Sequence, residues 1–97
     1  APTSESQMET SELLATRGQT HGPYELHAGI TQQLKAVLHF QQQNGYACWA
    51  KLTECQRESL DMIMHKVGRI LAGDPDFRDH WDDIAGYAKL AADKCSK

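Results

Sequence analysis

Acidic side chains recur on two neighbouring segments in the second half of the chain. Glu58 and Asp61 are one turn apart if their segment is helical. Asp79 and Asp83 are likewise one turn apart on the next predicted helix. If the two helical faces meet, the four carboxylates converge into the oxygen-rich type of site that Mg²⁺ or Mn²⁺ prefers. The spacing therefore predicts a metal site that could hold a triphosphate and polarise an attacking water.

Four further residues could bind a substrate near this metal site. Lys66 and Arg69, on the same predicted helix as the first acidic pair, would place positive charge on phosphate oxygens. His21 precedes a Gly-Pro turn and could contact a base or a phosphate, and Tyr87 lies near the second acidic pair. A structural interpretation stays open, because acids at a helix start are favoured by the helix dipole and polar helix faces normally meet solvent. His21 could equally be a turn residue at a helix entry.

Apolar residues at helical spacing predict the elements that must position these side chains. The third element has the clearest signals, because Thr53 and Gln56 form a capping-box pattern and Gly73 is a natural stop. No alternation with a period of two appears, so the predicted fold class is all-α, a small bundle of about four helices. The predicted helices cover residues 11–17, 24–42, 53–73 and 80–94. We expect the first of them to end before Gly18.

The length and charge of the chain restrict its organisation and its partners. With 97 residues there is room for one domain, which we place at residues 10–97 after a disordered tail at residues 1–9. The net charge of −3 and the lack of a basic recognition helix argue against nucleic-acid binding. No apolar run approaches the roughly 18 residues of a membrane span, and the N-terminus lacks a signal-peptide pattern. We therefore expect a soluble cytoplasmic protein without membrane contact.

The predicted fourth helix carries apolar or aromatic groups on both sides. Trp81 and Ile84 begin one side, whereas Tyr87 and Leu90 lie near the acidic pair on the other. A helix of this kind is usually buried on both sides. A core this small is also marginal by itself, so we expect another subunit to cover the second surface. The predicted assembly is a homo-oligomer, a dimer or a tetramer.

Three further expectations concern the cysteines, one tryptophan and one glycine. Cys48, Cys55 and Cys95 are predicted to be reduced thiols, with at least one packed as a small hydrophobic group. Trp81 is expected in the core rather than stacked on a base. Gly86, inside a helix, either allows a close helix approach or leaves room for a ligand beside the second acidic pair.

Short strings spread over residues 13–91 also carry a family resemblance. The strings are Thr20-His21-Gly22 near the start, His65-Lys66-x-x-Arg69 in the middle and Asp83-Ile84-Ala85-Gly86-Tyr87-Ala88 near the end. Together they resemble a phage and prophage domain family of unknown function. Members of that family show Thr-His-Gly-Asp-Phe near the start, where this chain has Pro23 and Tyr24 in the last two places.

The predicted layout is similar to that of the all-α nucleoside triphosphate pyrophosphohydrolases, the MazG and dimeric dUTPase class. This resemblance implies Mg²⁺- or Mn²⁺-dependent hydrolysis of a (deoxy)nucleoside triphosphate to the monophosphate and pyrophosphate, in a dimer or tetramer. The four carboxylates named above would hold the metal, and Lys66 and Arg69 would steady the phosphates. The doubled Glu-Glu of that class is absent here, and the second acidic pair is spaced by four residues rather than three unless Asp82 replaces Asp83.

A non-catalytic role is the alternative. Small size, an acidic balance and an altered metal motif fit nearly as well a phage accessory protein that binds a host protein or sequesters a nucleotide. A host-defence inhibitor is one example of such a protein. Either role predicts a location in the cytoplasm of a bacterial host cell.

Overall fold

Helices dominate the described part of the chain, which in the computed structural model comprises residues 12–14, 16, 18–40 and 48–97. Helix α1 covers residues 12–14, 16 and 18–21, α2 spans Tyr24–His39, α3 spans Glu54–Ala72, and α4 spans Arg78–Ala92. No strand occurs in these residues, so the predicted all-α bundle is confirmed. α3 is central, because it packs against both α2 and α4. The tail predicted at residues 1–9 lies outside the described residues.

The ends of α3 follow the local sequence signals. The Thr53 hydroxyl accepts the N–H of Gln56 at 3.1 Å, and the Gln56 side-chain oxygen accepts the N–H of Thr53 at 2.9 Å. At the other end, the N–H of Gly73 donates to the carbonyl of Arg69 at 2.9 Å. Both predicted ends are confirmed, so half of the eight predicted site residues lie on one well-capped helix, namely Glu58, Asp61, Lys66 and Arg69. α4 begins at Arg78, slightly before the predicted start.

The prediction that the first helix ends before Gly18 is wrong. Residues 18–21 continue α1, and Gly22 ends it with a φ of 79°. The N–H of Gly22 donates to the carbonyl of Gly18 at 3.0 Å, which closes the last turn. Since glycine adopts a positive φ at little cost, Gly22 is the stop and the expected turn shortens to two residues. α2 begins at Tyr24 as predicted, after Pro23, and ends at His39 rather than at residue 42.

The interior of the described fold is polar. Among the described residues no apolar side chain is buried, and the buried polar side chains are His27, Thr31, Ser59, Lys66 and His80. α3 turns its polar side inward, because Lys66 meets α4 and His65 meets the His27 ring of α2. The apolar residues of α3 at helical spacing, from Leu60 to Leu71, form its outer stripe. No residue of this outer stripe is fully buried, and Leu71 is 63% exposed. Even so, none of the described helices is long and apolar enough to cross a membrane.

Two expectations about single residues do not hold, and of the two alternatives for Gly86 the close helix approach is excluded. Trp81 is 53% exposed rather than part of a core, and its indole N–H donates to the carbonyl of Pro75 at 2.8 Å. All three cysteines are free and exposed, so none is packed as a hydrophobic group. A Cβ at Gly86 would meet no atom, so helices do not approach closely there. The close approach is at Gly68, where a Cβ would collide with the Thr31 hydroxyl.

Candidate functional site

A cavity of about 330 Å³ lies where α1, α2 and α3 meet. Its polar lining comes from all three helices: His21 ends α1, Tyr24 and His27 belong to α2, and His65 and Arg69 belong to α3. Two residues predicted to bind substrate, His21 and Arg69, are thus brought together from opposite halves of the chain. No acidic side chain is among the described lining residues. An arginine beside imidazole rings supplies hydrogen-bonding groups suited to an anion or a nucleobase.

Two glycines allow the backbone at the end of α1 to pack directly against the backbone at the end of α3. A Cβ on Gly22 would collide with the backbone of Ala72, and a Cβ on Gly73 would collide with the backbone of Thr20. The N–H of Asp74 also donates to the carbonyl of Thr20 at 3.1 Å. This close approach of two backbones places the last turn of α1 against the turn of α3 that carries the cavity's arginine.

His80 of α4 contacts the end of α1 without lining the cavity itself. It is 1% exposed, and its Nε2 donates to the carbonyl of Thr20 at 3.0 Å. The rings of His80 and His21 meet edge-on with their centroids 4.6 Å apart. Nδ1 of His21 also lies 2.5 Å from the Thr20 hydroxyl oxygen. The sequence pattern did not single out His80, because one histidine in the first turn of a helix carries no periodic signal of burial.

His27 and His65 both line the cavity and contact each other. Their rings meet edge-on with centroids 4.8 Å apart. Burial, followed by the charge of Arg69, lowers the pKa of both imidazoles, and the pKa of His65 falls to about 4. Both rings are therefore mainly neutral near neutral pH. Neither was predicted as a site residue, although the closeness of His65 to Arg69 on one helical face was a usable signal.

The carboxylates predicted to bind a metal are either in ion pairs or exposed. Asp61 accepts a hydrogen bond from Nε2 of His39 at 2.8 Å. Asp83 pairs with Nζ of the buried Lys66 at 2.9 Å, and this hydrogen bond lowers the pKa of the carboxyl group. The two remaining predicted ligands are exposed, namely Glu58 and Asp79.

The donor chemistry of these carboxylates suits Mg²⁺, but their arrangement within one chain does not form a coordination site. Among the described residues, no group of three or more His, Cys, Asp or Glu side chains is placed to hold a metal ion. Asp61 and Asp83 each face a basic side chain of a neighbouring helix instead of each other. The Mg²⁺ or Mn²⁺ site stays a prediction.

The other two residues predicted to bind substrate, Lys66 and Tyr87, are associated with Asp83. Lys66 is buried against that carboxylate. Tyr87 lines a shallow depression of about 310 Å³ together with Asp83, Gly86 and Leu90. The predicted substrate-binding residues therefore divide between two places, two of them at the cavity and two beside Asp83.

No family model matches the chain, and no curated protein or solved structure matches it significantly. The resemblance to the phage domain family and to the pyrophosphohydrolases stays a prediction from the motifs. The function must therefore be argued from the cavity and the ion pairs themselves.

Proposed function

We propose that this protein binds a (deoxy)nucleoside triphosphate and acts as a phage-type, pyrophosphohydrolase-like protein. The supporting observation is the cavity, in which Arg69 and His21 stand together with no acidic side chain among the described lining residues. Arginine presents a planar fork of N–H donors that matches phosphate oxygens. Tyr24, which lines the same cavity and is 76% exposed, offers a ring on which a base can stack.

The proposed reaction is hydrolysis of the triphosphate to the monophosphate and pyrophosphate, with Mg²⁺ or Mn²⁺ as cofactor. When bound, the metal ion would polarise a phosphoryl oxygen and the attacking water. The chain's own residues bind and orient the ligand: Arg69 donates to phosphate oxygens, and His21, held by His80, borders the ligand at the end of α1. Asp61 and Asp83 each place one carboxylate oxygen against a basic side chain, and that contact would compete with a metal ion for the same oxygen.

A homo-oligomer, either a dimer or a tetramer, is part of this proposal. The described residues bury no apolar side chain, and their large exposed apolar groups include Leu26, Val37, Phe40, Leu71 and Leu90. Burial of apolar surface is the main favourable contribution to folding. The protein would therefore gain stability if another surface covered the outer stripe of α3. A second copy of the chain would supply that surface and could bring carboxylates of two chains to one place.

Sedimentation velocity at micromolar concentration tests the oligomer. We expect a mass that is a multiple of the 10.9 kDa chain. Val67→Glu, which puts a charge into the outer stripe of α3, is expected to shift the protein towards the monomer. Gln32→Glu on the exposed side of α2 is the control and should leave the mass unchanged. A folded, monomeric parent protein would contradict this part of the proposal.

A panel of nucleoside triphosphates with Mg²⁺ or Mn²⁺, assayed for release of pyrophosphate, tests the reaction. At least one triphosphate is expected to be cleaved. Arg69→Gln should lower kcat/KM by about tenfold to a hundredfold, because it removes a charge-assisted hydrogen bond to phosphate. Arg78→Gln is the control with the same chemical change, since the Arg78 side chain is 87% exposed and does not line the cavity. Equal activity of both variants would contradict a phosphate-binding role for Arg69.

A non-catalytic protein that sequesters a nucleotide or binds a host protein is the second candidate. The observation in its favour is that Asp61 and Asp83 are already paired with basic side chains. Binding of a nucleotide in the same panel without any release of pyrophosphate would support this candidate over the hydrolase.

A further inference from the structure

We infer that the cavity between α1, α2 and α3 binds an oxyanion together with a proton, and that the contacting imidazoles of His27 and His65 take up this proton. The ligand class is a multiply charged oxyanion, either free or as the end of a larger molecule. The inference deepens the proposed function and rests on it only for the place of the anion beside Arg69. It adds a coupling to pH that the proposed reaction does not require.

The lining of the cavity combines one permanent positive charge with three imidazole rings. Arg69 supplies the charge, and His21, His27 and His65 supply the rings. No acidic side chain is among the described lining residues, so no carboxylate of this lining compensates a second positive charge. A bound anion is the group that would compensate it.

The two contacting rings lie where an anion bound by Arg69 would reach them. His65 and Arg69 are one turn apart on α3, and both line the cavity. Side chains at this spacing are neighbours, with their Cβ atoms about 5–6 Å apart. The ring of His27 meets the ring of His65 edge-on, with the centroids 4.8 Å apart. A negative charge beside Arg69 is therefore also beside this pair of rings.

Without a ligand, the pair of rings resists protonation. Burial, followed by the charge of Arg69, lowers the pKa of both imidazoles, and the pKa of His65 falls to about 4. An anion in the cavity acts in the opposite direction, because it stabilises an imidazolium ion. An opposite charge within about 4–6 Å moves a pKa by about one to three pH units. The bound anion should therefore raise the pKa of the pair.

The pair is expected to take up one proton rather than two. Because the rings are in contact, a positive charge on one ring opposes a charge on the other, and the charge of His27 is among the causes that lower the pKa of His65. Groups that interact in this way titrate as a unit.

The groups that face this pair are mainly basic. The carboxylate of Asp61, one turn before His65, is bonded to His39, and Asp83 is paired with Lys66. The other titratable or charged groups that face the two rings come from all four helices, namely His21, Tyr24, Lys35, Lys66, Arg69 and His80.

The coupling between anion and proton is reciprocal. If the anion raises the pKa of the pair, protonation of the pair strengthens anion binding by the same factor. Anion affinity is lowest at neutral pH, where the pair is neutral in both states. It rises as the pH falls through the pKa of the pair in the complex, and it levels off below the pKa of the pair in the free protein.

Calorimetric titration of the full chain with sulfate tests the inference. Sulfate stays fully ionised between about pH 5 and about pH 7.5, so any proton taken up in this range is bound by the protein. We expect sulfate to bind about tenfold more tightly at about pH 5 than at about pH 7.5, which corresponds to a pKa raised by about two pH units. Equal affinities would overturn the inference, as would the absence of sulfate binding at millimolar concentration in acid.

The same titrations in buffers with different ionisation enthalpies count the protons directly. The dependence of the observed enthalpy on the buffer should show uptake of about half a proton or more per sulfate at about pH 5. Binding without proton uptake would overturn the inference.

Matched variants locate the proton and the anion. The double substitution of His27→Gln and His65→Gln should abolish proton uptake, whereas His39→Gln should keep it, because His39 does not line the cavity. Uptake that persists in the double variant would assign the proton to another group and overturn the proposal. Arg69→Gln should weaken sulfate binding by about tenfold or more, because it removes a charge-assisted hydrogen bond. Unchanged binding in Arg69→Gln would place the anion elsewhere and also overturn the proposal.

Proton NMR of the parent protein needs no substitution of the paired rings. The Cε1–H resonances of His27 and His65, followed against pH, report the pKa of the pair with and without sulfate. Saturating sulfate should raise this pKa by about one pH unit or more. The same pKa with and without sulfate would contradict the coupling.

The outcome separates this inference from the proposed reaction. Sulfate binding with proton uptake, but without hydrolysis of any triphosphate, would reject the hydrolase and support the proton-coupled site. Hydrolysis of a triphosphate by a protein that binds sulfate without proton uptake would support the hydrolase and reject the coupling.

Discussion

The cavity and the acidic pairs of α3 and α4 differ in how far their polar groups find partners within the chain. Asp61 and Asp83 each have a basic partner within the chain at 2.8–2.9 Å. In the cavity, Arg69 stands beside the imidazoles of His27 and His65, whose pKa values are lowered by burial, and Nε2 of the buried His27 has no hydrogen-bond partner among the described residues. An incomplete interaction next to open space is where a ligand gains most. The comparison is the reason why we propose the cavity, rather than the carboxylates that the sequence emphasises, as the place where a ligand binds.

The largest effect is expected from breaking the backbone contact that shapes the cavity. Gly22→Ala puts a Cβ into the backbone of Ala72 at a φ of 79°. We expect the free energy of unfolding to fall by about 2–4 kcal/mol, measured by urea unfolding. Gly86→Ala is the matched control, and it should raise stability by about 0.5–1 kcal/mol because its Cβ meets no atom and alanine favours the helix. An unchanged stability in Gly22→Ala would mean that α1 is not locked onto α3.

An intermediate effect is expected from titrating the cavity. The pKa of His65 is about 4 in the fold and returns to about 6.5 on unfolding, so between these values the unfolded chain binds the extra proton. The free energy of unfolding should therefore fall as the pH drops from about 6.5 towards 4. The lowered pKa of Asp83 acts below its ordinary value of 3.8, outside this range.

Thermal melts of the parent and of His65→Gln across the same range measure this contribution. The variant should lose less stability in acid than the parent, because it lacks the group that takes up the proton. Parallel curves for the two proteins would show that the cavity histidine does not govern the acid response.

The smallest effect is expected at the acidic pairs. Asp83→Asn should lower stability by about 1 kcal/mol, because the buried Lys66 loses its ionised partner. Asp79 is an exposed first-turn residue that forms no ion pair with any described residue, so Asp79→Asn should lower stability by about 0.5 kcal/mol or less. If Asp83 also binds Mg²⁺, the metal should raise the melting temperature of the parent but not of Asp83→Asn. The same metal-induced shift in both proteins would exclude Asp83 as a ligand.

The α3 helix shows how far local patterns predict this fold and where they stop. Its capping box and its glycine stop were predicted because each depends on residues three or four positions apart. The sequence left open whether its polar side meets a neighbouring helix or solvent, because helical periodicity shows which residues share a face but not what covers that face. In the structure, the polar side packs against α2 and α4. Because Gly68 has no side chain, the Thr31 hydroxyl of α2 fits against it, and Lys66 forms an ion pair with Asp83 of α4.

By itself, the sequence determined the all-α class, the start of α2, both ends of α3 and the presence of His21 and Arg69 as candidates for binding. These properties depend on helical periodicity and on caps, which neighbouring residues define. Only the tertiary structure decided that His21 and Arg69 share a cavity and that the buried His27 contributes to its lining. Only it decided that Asp83 pairs with Lys66. The reason is physical: burial and charge pairing depend on which helix faces approach each other, and that approach is governed by contacts between residues far apart in the chain, such as Gly22 against Ala72.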